Sequence, residues 1–228
     1  MLDPDGRLLV HKVFDTIQGE GPDAGRPCVF IRLAKCNLRC FFCDTDFESG
    51  DWYDLPNIAA VVASEASVFH RDLVVITGGE PLLQNIVPFV KQMNRMGIAC
   101  SVETAGTIFY PELREVFSPT RGIAENLIVC SPKTPKIADG LEEIVGAWKY
   151  IVKHGGVGVD GLPNLSTQYN GRHSNIFRPS FPSVPIYVQA MDELDERQNK
   201  LNLEAAAHSA SVFGYRLCVQ IHKLVGLE

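Results

Sequence analysis

The chain has 228 residues, 46% of them hydrophobic, which gives apolar material for one sizeable core at the upper range for a single domain. A formal charge of −6 leaves no excess of Lys and Arg to displace phosphate counterions, which argues against nucleic acid and for a small-molecule ligand. No apolar run reaches membrane-spanning length, the opening MLDPDGRLLVHK lacks the regions of a signal peptide, and seven cysteines, an odd number, fit reduced thiols; the expectation is a cytoplasmic protein with no membrane segment.

In chain order, KVFDTIQ and PCVFIRLA are the first two strand-like runs, followed by a cysteine-bearing loop, KCNLRCFFCDTDF. A helix is predicted over 57–67, then the strand DLVVIT, then a helix over 85–96. Asn85 as N-cap of that second helix places Pro88 in its first turn, where a missing N–H costs nothing. The strands IACSVE, NLIVC and WKYIV follow, with short turns near 111–117 and 141–146 between them. Gly, Pro, Asn and Ser spaced through 155–185 mark a loop-rich segment, read as an insertion on one face. PIYVQA, a helix over 192–212 and the strand YRLCVQIH complete the chain. Strands alternating with helices predict one mostly parallel α/β domain over 1–228.

Polar signatures fall where strands end: TGGEP, ETAGT, SPK, QAMDE and HK. Each alone is ordinary turn chemistry, but in parallel α/β folds ligands bind at the carboxyl ends of strands, so together they converge on one cleft. Cys36, Cys40 and Cys43 form a C-x3-C-x2-C triplet with no fourth cysteine close behind. Three thiolates can hold three corners of a cubane iron-sulfur cluster and leave one iron open to a small molecule. The competing reading is a structural zinc site, which wants four closed ligands. Cys28 is a conceivable fourth thiolate, although its place inside PCVFIRLA reads as a small buried hydrophobe.

The triplet followed by GGEP, a Glu-bearing strand end and SPK resembles the radical S-adenosylmethionine superfamily. Within it, TIQGEGPDAGRPCVFIRLAKCNLRCFFCDTDF, TGGEPLLQ, SPK and HKLVGLE are similar to the 7-carboxy-7-deazaguanine synthase family, from residue 16 to the last residue. The chain departs from that pattern in ETAGT where ETNGT is common, in QAMDE where QPMDE is common, and in the length of 155–185. The resemblance implies an incomplete parallel (β/α) barrel and a carbon-nitrogen lyase. The implied reaction is radical ring contraction of 6-carboxy-5,6,7,8-tetrahydropterin to 7-carboxy-7-deazaguanine, with loss of ammonia, on the route to queuosine, a tRNA modification, and other deazapurines.

The same resemblance assigns residues. Cys36, Cys40 and Cys43 hold a 4Fe-4S cluster, and S-adenosylmethionine, regenerated rather than consumed, chelates the open iron. Contacts to that cofactor fall on Phe42, Cys43, Asp44, Gly78, Gly79, Glu80, Glu103, Ser131, Pro132, Lys133, Gln189, Ala190, Met191 and Asp192. Thr45 binds Mg2+, which keeps oxygen ligands and takes part of its shell from the substrate. The pterin meets Ile17, Gln18, Gly19, Glu20, Arg32, Thr77, His222 and the terminal Glu228. No residue beyond cluster and cofactor is assigned a catalytic role.

Plainer readings compete at several positions. Phe41 or Phe42 packs in the core, Arg32 makes a surface salt bridge, and Thr45 bonds a turn. Asp192 caps the helix that follows it, with Asp195 at a capping-box-like spacing, a role compatible with cofactor contact. The rivals for the whole chain are a radical activase of a glycyl radical enzyme and a zinc-dependent binding module. By resemblance the partners are a low-potential electron donor of flavodoxin or ferredoxin type and a second copy in a homodimer.

Overall fold

Two apolar, β-branched runs pair as a hairpin, β1 (Leu8–Ile17) with β2 (Pro27–Leu33), in the computed structural model, which describes residues 6–43, 46–68, 71–120, 125–164, 167, 175–180 and 184–227. A short strand that the sequence reading missed, β3 (Asp51–Tyr53), pairs antiparallel with β1. Then come α1 (Leu55–Val68), β4 (Leu73–Gly78), α2 (Val87–Arg95), β5 (Ala99–Thr104), β6 (Leu127–Cys130), β7 (Ala147–Val152), β8 (Ile186–Ala190), α3 (Glu196–Phe213), β9 (Arg216–Cys218) and α4 (Ile221–Leu224). The sheet has nine strands in the order β3-β1-β2-β4-β5-β6-β7-β8-β9, and every pairing from β2 to β9 is parallel. The two edge strands do not pair with each other, so the sheet is the incomplete parallel (β/α) barrel that the sequence predicts.

Period-2 alternation assigns the faces. Val29, Ile31 and Leu33 of β2, Val74 and Ile76 of β4, Cys100 and Val102 of β5, and Trp148, Tyr150 and Val152 of β7 enter one continuous core, where Phe89 of α2 packs on them. Each fully buried Val, Leu, Ile or Phe contributes about 1.5–3 kcal/mol. Their neighbours Phe30, Arg32, Thr77, Glu103, Lys149 and Ile151 point to the opposite face and line a cavity. Register keeps these residues level: Arg32 lies beside Thr77 and Ile151 beside Gln189.

Helix ends differ from the expectation in informative ways. Ile86, not Asn85, is the N-cap residue of α2; the Asn85 side chain still accepts from Val87 N–H (3.2 Å), and Pro88 still falls in the first turn. α3 starts at Glu196 rather than Asp192, because Asp195 accepts from Gln198 N–H (2.8 Å) with the three-residue spacing of a capping box. It ends on Gly214 at φ 73°, a left-handed C-cap that glycine adopts without penalty. The last predicted strand is cut to three residues, and His222 sits on α4 instead of at a strand end. The turns near 111–117 and 141–146 are 3₁₀ turns.

Described parts of 155–185 pack on the body. Arg178 Nε donates to Asp160 (2.6 Å), Tyr150 OH donates to the Phe177 carbonyl (2.9 Å), and Thr167 touches the cysteine loop. No helix among the described residues is long and apolar enough to cross a membrane.

Candidate active site

The cavity, about 280 Å³, opens between the carboxyl ends of the parallel strands and the cysteine loop. Cys36, Cys40 and Cys43 all line it, and none is in a disulfide. The loop is seated by the double glycine that ends β4. A Cβ at Gly78, whose φ is 138°, would lie 2.0 Å from the Leu33 carbonyl oxygen; at Gly79 it would lie 2.1 Å from that of Lys35 and 2.8 Å from Cys36 Cβ. Only glycine allows that approach, and two backbone bonds hold it: Gly79 N–H to Leu33 O (3.1 Å) and Glu80 N–H to Lys35 O (2.9 Å).

Glu80 completes the turn from behind the wall. Its fully buried carboxylate accepts from Leu82 N–H (3.1 Å), Thr104 Oγ1 (2.6 Å) and Ala105 N–H (2.8 Å), tying GGEP to ETAGT. Burial raises its pKa, and those three bonds pull the other way.

The inner floor is polar and dense. Lys149 forms an ion pair with Glu20 and reaches Glu103 (3.5 Å), with the Lys149 and Glu20 side chains 8% and 14% exposed. Gln189 Nε2 (3.0 Å) and Gln220 Nε2 (2.7 Å) both donate to Glu20 Oε1. Glu103 also accepts from Gln18 Nε2 (3.3 Å) and Thr77 Oγ1 (3.2 Å). Burial alone would raise the Glu20 pKa; the Lys149 charge and hydrogen bond, the Gln220 hydrogen bond and the His222 charge lower it to about 2. Burial disfavours the Lys149 ammonium, but the carboxylates of Glu103 and Glu20 outweigh it and raise its pKa. Lys133, whose Nζ donates to the Ser131 carbonyl (3.1 Å) and hydroxyl and lies over the Phe42 ring, is pulled down to about 8 by burial and then by the Lys149 charge.

Of the residues singled out in the sequence, Ile17, Gln18, Glu20, Arg32, Phe42, Thr77, Gly78, Gly79, Glu103, Ser131, Lys133, Gln189, Ala190, Asp192 and His222 line this cavity with the three cysteines. Gly19, Glu80, Pro132 and Met191 are not among its lining residues. Gly19 is the seat of the tail: a Cβ there would lie 1.7 Å from His222 Nδ1, and its carbonyl accepts from Ile221 N–H (3.1 Å). Asp44, Thr45 and Glu228 lie outside the described residues.

Arg32 is no surface ion pair. Its guanidinium lies 5.5 Å from the Phe14 ring centroid, and its buried Nε has no hydrogen-bond partner among the described residues. Neither Phe41 nor Phe42 joins the core; Phe41 is 44% exposed, and Phe42 lines the cavity in edge contact with it. Asp192 does not cap α3, since its carboxylate accepts from Leu194 N–H (3.0 Å), Asn199 Nδ2 (2.8 Å) and Lys223 Nζ (2.6 Å). The sequence reading missed Lys149 and Gln220, along with Phe14, Phe30, Leu38, Phe47 and Ile151 of the wall, whereas Thr104 and Ala105 belong to ETAGT, one of the strand ends expected there. For Lys149 a signal exists: it is the one charge in the apolar strand AWKYIV.

The donor set fits three corners of a cubane cluster. Cys28 is fully buried in β2, its thiol facing the Thr16 carbonyl (3.7 Å) and pushed up to about 12 by burial, so it supplies no fourth thiolate. Among the described residues, no three His, Cys, Asp or Glu side chains are gathered as a single metal ion requires.

An open parallel barrel with a three-thiol loop, seated on a double-glycine turn at the strand ends, defines a radical S-adenosylmethionine protein. The profile of the Radical SAM superfamily matches residues 30–164. A 7-carboxy-7-deazaguanine synthase of Rhodospirillum rubrum is 46% identical, covering 97% of this chain and 93% of its own, and one of Rickettsia prowazekii is 35% identical, covering 100% and 92%. The crystal structure of QueE from Escherichia coli shares the fold with a TM-score of 0.67 at 19% identity, over 94% of each chain. The chain belongs to the 7-carboxy-7-deazaguanine synthase family of the radical S-adenosylmethionine superfamily.

Proposed function

We infer that this chain converts 6-carboxy-5,6,7,8-tetrahydropterin to 7-carboxy-7-deazaguanine with loss of ammonia, as a lyase of deazapurine and queuosine biosynthesis. The observation that carries the reading is that one cavity joins the cysteine triplet at its mouth to the Gln18, Glu20 and Arg32 floor. Family membership favours it over a glycyl radical activase and over a zinc module. Cys36, Cys40 and Cys43 would hold the 4Fe-4S cluster. Gly78, Gly79, Glu103, Ser131, Lys133, Gln189, Ala190 and Asp192 would flank S-adenosylmethionine, with Asp44, Glu80, Pro132 and Met191 as further members of that set. When bound, cluster and cofactor supply one-electron, radical hydrogen-transfer chemistry.

The chain's own residues orient and shield the substrate. Glu20, ionised and acceptor-only, takes N–H groups of the pterin ring. Arg32 offers its fork, including the Nε that has no partner among the described residues, to the substrate carboxylate. The aromatic wall of Phe14, Phe30 and Phe42 excludes water from the ring. Thr45 would contribute a hydroxyl to Mg2+, His222 and Glu228 would close the site, and the protein would work as a cytoplasmic homodimer with a flavodoxin- or ferredoxin-type donor.

Anaerobic turnover of the tetrahydropterin under reducing conditions, with and without Mg2+, tests this. The expected result is 7-carboxy-7-deazaguanine, formed faster with magnesium. An intact cluster without that product overturns the function, and a magnesium-independent rate removes the role of Thr45.

A further inference from the structure

Lys149 has no role in the reading above, yet it is the most buried charge of the cavity floor. It projects from β7 between two core residues, Trp148 and Tyr150, and bonds Glu20 from a position 129 residues away. Glu20 is surrounded by groups from every neighbouring element: Lys149 on β7, Gln189 on β8, Cys218 on β9, Gln220 and His222 at α4, Glu103 on β5 and Lys133 after β6. A carboxylate offers about four lone-pair sites. Among the described residues, two on Oε1 are taken by the amides and one on Oε2 by the ammonium, which leaves one direction toward the cavity for a ligand.

We propose that Lys149 is a positioning residue that sets substrate specificity: it keeps Glu20 a permanent hydrogen-bond acceptor, so the cavity selects a ring edge bearing N–H donors. The proposal rests on the pterin reading of the same site. Without the ammonium, desolvation would govern Glu20; a buried, uncompensated carboxylate takes up a proton rather than stay charged. Protonated, it presents an O–H donor to the ligand and favours a carbonyl edge instead. The sign is fixed: with Lys149 present Glu20 stays ionised through the neutral range, and without it the acceptor is lost as pH falls through a raised pKa.

The test uses cluster-loaded, anaerobic protein and two probes, pterin-6-carboxylate and its 2-oxo analogue lumazine-6-carboxylate, which carries a carbonyl in place of the 2-amino donor. Affinities are measured from about pH 6 to about pH 8.5, the span in which a buried glutamic acid titrates. Wild type is expected to hold the pterin with a flat profile and to prefer it by about ten- to a hundredfold, the effect of one hydrogen bond to a charged group. K149M is expected to lose pterin affinity at the acid end, to recover it toward the basic end, and to narrow the preference. K149R, which keeps the charge, keeps a flat profile. E20Q brings the preference close to unity at every pH, and it decides the matter should K149M not fold. An equal loss at every pH in K149M, an unchanged preference in E20Q, or K149R titrating like K149M overturns the inference. A wild type that makes no deazaguanine overturns the pterin reading itself; one that turns over beside an unaltered K149M overturns this inference alone.

Discussion

On the floor of the cavity, three side chains from β7, β8 and the approach to α4 converge on one carboxylate, whereas at its mouth Cys43 is exposed and Phe41 projects 44% into solvent. Cys36 accepts from Leu38 N–H (3.4 Å) and Cys40 from Thr167 Oγ1 (3.5 Å), contacts that any thiol can make. The polypeptide alone fixes the Glu20–Lys149 floor, because a buried charge pair is stable when hydrogen bonds support it, as those from Gln189 and Gln220 do here. On the proposed reading, the cysteine half would be completed by the cluster, whose thiolate bonds would tie the loop down.

This contrast is broken most severely by C40A, which should abolish cluster retention and turnover while leaving the melting temperature of the cluster-free protein near that of cluster-free wild type. Iron and sulfide analysis beside calorimetry checks it, and a collapse of the apo fold would show that the mouth is structural too. E20A should do the opposite. It strands the Lys149 ammonium beside one remaining carboxylate and should destabilise the fold by about 3–5 kcal/mol in urea unfolding, with the cluster still assembled. G19A is intermediate. Its Cβ would displace His222, an overpacking cost of about 1–3 kcal/mol that should appear as roughly a tenfold rise in KM for the pterin at nearly constant kcat. The smallest effect is expected from K223A at the rim, about 0–1 kcal/mol for a half-exposed pair. Hydrogen bonding from Lys223 and Leu194 holds the Asp192 pKa near 2, below its ordinary 3.8, so that contribution is present above the ordinary value and lost as pH falls through the lower one. A K223A stability curve that parallels wild type down to acid pH would show the pair to be idle.

The strands and their order could be read because buried β-branched runs and terminal Gly, Pro and Ser are local signals, and so could the cavity wall, because motifs at strand ends share one side of the sheet. Lys149 could be noticed in AWKYIV but not assigned, since alternation gives a face and not the partner on it. The start of α3 was misplaced because Asp192 and Asp195 are equally good caps in isolation, and tertiary bonds to Lys223 and Asn199 recruit the first. β3 was too short to carry a period, and hydrophobicity alone could not separate Phe41 and Phe42 from core residues, where the loop leaves Phe41 exposed and Phe42 on the cavity.

The bond from Gly21 N–H to Cys218 Sγ (3.2 Å) spans 197 residues, and that from Gln220 to Glu20 spans 200. During synthesis, the QGEG loop therefore waits for nearly the whole sheet to be laid down before its carboxylate finds its amides. Long-range closure of this kind is slow relative to local pairing. Until then a charged glutamate and an uncapped lysine sit apart on an open sheet, and an early cluster at the mouth would have no finished chamber behind it. Assembly order is thus written into the topology, with the cavity floor among the last parts of the molecule to form.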